Sequence, residues 1–103
     1  MVVLMTAGDR EEAGRIAEAL VAARLAACVQ ILPAMESIYH WKGEIARENE
    51  VLMLAKTTRE RFAELAARVR ELHSYETPEI IALPITEGSA DYLKWLTTFC
   101  DGS

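Results

Sequence analysis

The stretch ENEVLMLAKTT, residues 48–58, decides the fold. Its centre, VLMLA (51–55), is apolar at every position, which reads as a strand. One parity presents Val51, Met53 and Ala55, and the other presents Leu52 and Leu54. A sheet with one face in water alternates apolar and polar residues. This strand therefore needs cover on both faces.

The flanking sequence gives its neighbours. SIYHW (37–41), the turn WKGE around Gly43 and EIARENEVLMLA (44–55) form two extended runs, 34–41 and 44–56, which read as a long antiparallel hairpin. The first run begins earlier, at CVQILPAMESIYHW (28–41), where Pro33 implies an edge position or a bend. VVLMT (2–6) is a further strand, closed by Gly8 and Asp9. Asp9 fits a helix N-cap, with Glu11 and Glu12 in the first turn where the dipole favours anions. Ala13, Ile16, Ala17, Leu20, Val21, Arg24 and Ala27 follow helical spacing and predict a helix over 10–26. Thr58 is the expected cap of a second helix, whose apolar face is Phe62, Leu65, Ala66, Val69 and Leu72 and which ends near His73. EIIALPI (79–85) is a fourth strand. GSADYLKWLTTFC (88–100) is a short third helix capped by Ser89.

The order is strand, helix, strand, strand, helix, strand, with a short helix appended. That is the split βαβ, or ferredoxin-like, order of an α+β fold. A four-stranded antiparallel sheet carries helices on one face, in a single domain over 1–103. The helices cover one side only, yet VVLM, VLMLA and IIALPI are apolar on both. A large apolar face is not left in water, so another subunit is expected on the second side. The charged hairpin end, KGEIARENE (42–50), projects into water or over that neighbour, and pairing would close its free edges.

Composition excludes several partners. The 103 residues carry a net charge of −5, which argues against nucleic-acid phosphates. No segment reaches 18 apolar residues, so no membrane span is expected. The N-terminal apolar run lacks the basic flank and length of a signal peptide. Cys28 and Cys100 have no CxxC or metal-finger spacing, which suits a reduced, cytoplasmic protein. Cys28 is expected to be a buried small hydrophobe and Cys100, near the chain end, exposed.

Five segments lie in a shared order and spacing: RLAACVQILP (24–33), SIYHWKGEI (37–45), the Lys56-Thr57 pair after an apolar strand, HSYETPEIIALPI (73–85) and YLKWL (92–96). In these the chain resembles the CutA family of divalent-cation tolerance proteins over nearly its whole length. The resemblance implies a ferredoxin-like homotrimer, an architecture like that of PII signalling proteins, and a role in tolerance of copper and other divalent metals. No cofactor is implied beyond a possible weakly held copper or other divalent ion.

The family's histidine motif reads His-Pro-Tyr-Glu; here it is His73-Ser74-Tyr75-Glu76. Some members carry a second histidine before it and a cysteine in the first strand, positions held here by Leu72 and Met5. A metal would thus meet His73, with Met5 as a soft thioether ligand suited to Cu(I). One imidazole alone holds a metal weakly. The bland reading makes His73 a cation at a helix C-terminus, Tyr75 a packing residue, and Tyr39 and Trp41 cross-strand partners. The functional reading builds a subunit-boundary cleft from Tyr39, Trp41, Lys56, Tyr75 and Glu76, with Lys56 neutralising Glu76 or an anionic ligand. A scaffold trimer without a metal is the alternative. A small phosphate-handling enzyme is disfavoured, because Asp9, Glu11 and Glu12 would repel an anion at the helix start beside Arg10, and no nucleophile–base pair is visible.

Overall fold

The computed structural model describes residues 1–101. Four strands, β1 (Val2–Ala7), β2 (Cys28–Trp41), β3 (Glu44–Lys56) and β4 (Ile80–Leu83), and three α-helices, α1 (Arg10–Ala22), α2 (Phe62–Leu72) and α3 (Ala90–Phe99), follow the order expected from the sequence. The sheet runs β2-β3-β1-β4 and every pair is antiparallel.

The register sorts the side chains into two faces. Val3, Met5, Val51, Met53 and Ala55 point toward the helices and are almost fully buried with Ile16, Leu20, Leu65 and Val69. The opposite face pairs Leu32 with Leu52, Leu54 with Leu4, Leu4 with Ile81, and Val2 with Leu83. Within one chain this face is open: Leu32 is 44% exposed, and Ile81 and Leu83 are 52% each. The two-sided apolar pattern of the strands is therefore real, and only one side is satisfied by the chain's own helices.

The hairpin outruns the sheet. β1 meets β3 from Lys56 back to Val51, while β2 and β3 stay paired to Trp41 and Glu44, stretching the molecule to 45 Å in its long dimension. Lys42 (φ 49°) and Gly43 (φ 80°) close it, the two positive dihedrals that a type I′ hairpin turn requires. Pro33 marks the bend that the sequence implied: pairing slips between Leu32 and Met35, and Ala34 takes φ 52°.

Three boundaries differ from the sequence reading. α1 stops at Ala22 rather than 26. Arg24 turns left-handed (φ 59°), and Leu25 and Arg24 N–H return to the carbonyls of Leu20 and Val21. This is a Schellman end made without the usual glycine, and Arg61 donates to the freed carbonyls of Ala23 and Arg24. Thr58 makes no side-chain cap; one 3₁₀ turn, Arg59–Arg61, leads into α2 instead. β4 is trimmed to four residues. α3 begins as expected, with Ser89 Oγ accepting from Tyr92 N–H. Cys100 is buried, not exposed, packed with Ala27 and Leu96 under α3. Cys28 is only half-buried, with its Sγ 3.7 Å from Tyr92 Oη.

A candidate cation cleft beside the long hairpin

The loop after α2 is fixed before it reaches the hairpin. His73 leaves helical geometry (φ −79°, ψ 142°), so it is a C-cap rather than a member of the last turn. Its ring turns inward, with 1% of the side chain exposed. Nε2 lies 2.7 Å from the Thr6 carbonyl oxygen, which can only accept, so Nε2 carries the proton. Nδ1 then accepts from Tyr75 N–H at 3.0 Å. Both ring nitrogens are engaged within the chain.

Glu12 completes this anchor. The sequence reading treated it as a first-turn residue favoured by the dipole; the fold buries it. Its carboxylate accepts from Ser74 N–H at 2.7 Å and Gly8 N–H at 3.3 Å, and lies 3.7 Å from His73 Nδ1. Burial pushes its pKa up, but the bonds from Ser74 and Gly8 outweigh this and hold the carboxyl below its ordinary value.

The fixed loop delivers Tyr75 to the hairpin. Tyr75 Oη donates to Glu50 Oε2 at 3.2 Å. Its phenol is pushed up to about 12, first by burial and then by the charge of Glu50, so it stays a neutral donor at physiological pH. Between this loop and the hairpin lies a cavity of about 800 Å³, lined among others by Thr6, Tyr39, Trp41, Glu48, Glu50, Tyr75, Glu76 and Glu79. Strand parity explains the hairpin's share. Ala46 pairs with Tyr39, Glu48 with Ser37 and Glu44 with Trp41, so Tyr39, Trp41, Glu48 and Glu50 lie on one face of it. Burial, followed by the interaction with Glu48, raises the Tyr39 phenol.

Of the residues singled out from the sequence, Tyr39, Trp41, Tyr75 and Glu76 meet in this cavity. Lys56 does not. It sits on the open sheet face, where its ammonium donates to Gln30 Oε1 at 2.6 Å. Met5 is fully buried in the core. Among the described residues no three His, Cys, Asp or Glu converge on a metal position. Glu48, Glu50 and Glu79 went unnoticed in the sequence. The alternation Glu44-x-Ala46-x-Glu48-x-Glu50 puts Glu48 and Glu50 on the Tyr39 and Trp41 face once the two-residue turn sets the register, while Glu79 reaches the cavity from the segment before β4.

A model of the CutA1 divalent ion tolerance protein family matches residues 1–98. The chain belongs to the CutA1 family. It is 54% identical over 95 residues to the divalent-cation tolerance protein CutA of Thermus thermophilus, covering 92% of each. It is 43% identical to the chloroplastic protein CutA of Arabidopsis thaliana, spanning 93% of this chain and 53% of that longer one. Among solved structures, the Thermus thermophilus protein superposes with a TM-score of 0.93 at 52% identity over 94% of both chains. The Oryza sativa CutA1 gives 0.96 at 38% identity over 99% of this chain and 94% of that one. The fold of the family is therefore the fold of this chain. No helix among the described residues is long and apolar enough to cross a membrane.

Proposed function

We propose that the chain serves divalent-cation tolerance as a homotrimeric binding module rather than as an enzyme, with the hairpin cleft as its cation site. The observation that carries this reading is the sign of the lining. Glu48, Glu50, Glu76 and Glu79 share the cleft with one histidine, His40, and among the described residues no Lys or Arg lines it. Such a surface attracts cations and repels anions. Carboxylate and tyrosyl oxygens are hard ligands that suit Mg²⁺, Mn²⁺ or Ca²⁺ better than Cu(I). Copper in this reading binds weakly. His73 would have to surrender one of its two hydrogen bonds to ligate it, and Met5 would have to leave the core.

Trimer formation is proposed from the open sheet face. Leu4, Leu32, Leu52, Leu54, Ile81 and Leu83 form a continuous apolar surface in the pairing register, of the kind soluble proteins cover with a partner. The cleft lies at one end of that face, beside Thr6, which would put it at a subunit boundary as in a PII-like architecture. Two free thiols suit a reducing, cytoplasmic setting.

The test is calorimetric titration of the purified protein with CuCl₂ and MnCl₂, in the parent, His73→Ala and Glu50→Gln. The reading expects weak binding that Glu50→Gln removes. Metal binding unchanged in Glu50→Gln would place the site elsewhere and overturn it.

A further inference from the structure

Resting on the reading of the cleft as a cation site, we propose that its fitted ligand is an extended organic cation with two or more amine groups, of the polyamine class, rather than a compact metal ion. The first support is Glu50. The residue is 8% exposed, yet its carboxylate accepts one hydrogen bond, from a neutral phenol, and has no basic partner within 4 Å among the described residues. A buried carboxylate is normally compensated by a cation or by several donors. An ammonium group supplies both charge and N–H donors.

Spacing is the second support. Four glutamates line one cavity, but among the described residues no three acidic, His or Cys groups converge closely enough to hold a metal ion. Carboxylates spread along a cavity match ammonium groups spread along a chain. The third is the aromatic surface. Tyr39, Trp41 and Tyr75 interleave with the acids, and aromatic faces attract ammonium groups while accepting methylene chains against them. Lys42 Nζ already stands 5.8 Å from the Trp41 ring centroid, so an ammonium meets this ring at the rim. The volume of about 800 Å³ falls inside the range of roughly 300–1,000 Å³ typical of small-molecule sites.

The experiment is calorimetric titration of the assembled protein with spermidine, beside MgCl₂ and CuCl₂ at matched ionic strength. Four proteins are compared: parent, Glu50→Gln, Trp41→Ala and Glu18→Gln. Glu50→Gln keeps an acceptor for Tyr75 and so keeps the fold. Glu18→Gln makes the same charge change on the exposed side of α1. Spermidine is expected to bind one site per chain. Glu50→Gln should weaken it by about tenfold or more, the factor for one charge-assisted bond. Trp41→Ala should weaken it less, and Glu18→Gln not at all. Equal losses in Glu18→Gln and Glu50→Gln would mean diffuse attraction to an acidic surface and would overturn the proposal. Glu50-dependent metal binding without spermidine binding would overturn it and leave the cleft reading standing. Binding of neither would overturn both.

Discussion

Removing the Glu12 carboxylate tests how the loop that shapes the cleft is held. In Glu12→Ala the N–H groups of Ser74 and Gly8 lose their acceptor at a site where the side chain is 7% exposed. A hydrogen bond to a charged group contributes roughly 1.5–3 kcal/mol, and the longer Gly8 bond about 0.5–1 kcal/mol more. The expected loss is about 2–4 kcal/mol. At roughly 4–8 °C per kcal/mol for a domain of this size, that is a fall of about 8–32 °C in Tm. Circular dichroism at one fixed protein concentration reads it, since the proposed assembly would make Tm concentration-dependent. Glu12→Gln keeps one acceptor and should lose about half as much. The pH dependence has a definite sign. The carboxyl is held below its ordinary 4.5 in the fold, so its contribution is complete above the unfolded value and fades as pH falls through the folded one. The gap between parent and Glu12→Gln should therefore shrink below about pH 4.5. A Glu12→Ala protein within about 0.5 kcal/mol of the parent, the range of an ordinary surface change, would refute the anchoring role.

Other expectations follow from the same geometry. Tyr75 should titrate near 12 by ultraviolet absorbance, and Glu50→Gln should move it down toward the ordinary 10; an unmoved titration would remove Glu50 as a cause. Ala34→Gly should stabilise the protein by up to about 1 kcal/mol in denaturant unfolding, because Ala34 holds φ 52°, a region glycine enters freely; a loss would mean that the Ala34 methyl packs usefully. Leu54→Asp should split the proposed trimer in a sizing column while leaving the helical face of the sheet intact, since Leu54 lies on the open side opposite Leu4.

The strand and helix order was readable because each element carries a strong local period or cap. Asp9, Ser89 and Gly43 all act as their residue types predict. The early end of α1 was not readable, because Arg24 takes the left-handed position usually given to glycine, and what supports it there, Arg61, lies 37 residues away in sequence. The cleft was half legible. Tyr39, Trp41, Tyr75 and Glu76 stood out as aromatic or acidic residues in marked segments. Glu48 and Glu50 looked like solvated hairpin charges until the register placed them beside Tyr39. Lys56 follows an apolar strand, and its residue type says nothing about which face it takes; parity sends it to Gln30 on the open face. Glu12 carried a conventional first-turn role that concealed a long-range one, 62 residues from Ser74.

Sedimentation equilibrium of the parent protein at micromolar concentration tests the central claim most directly, because the proposed cover of the open apolar face and the proposed boundary position of the cleft both depend on assembly. The account predicts a single species with three times the 11.5 kDa mass of the chain, falling toward one chain in Leu54→Asp. A stable, folded species of one chain mass in the parent, with Leu4, Leu54 and Ile81 left in water, would contradict it.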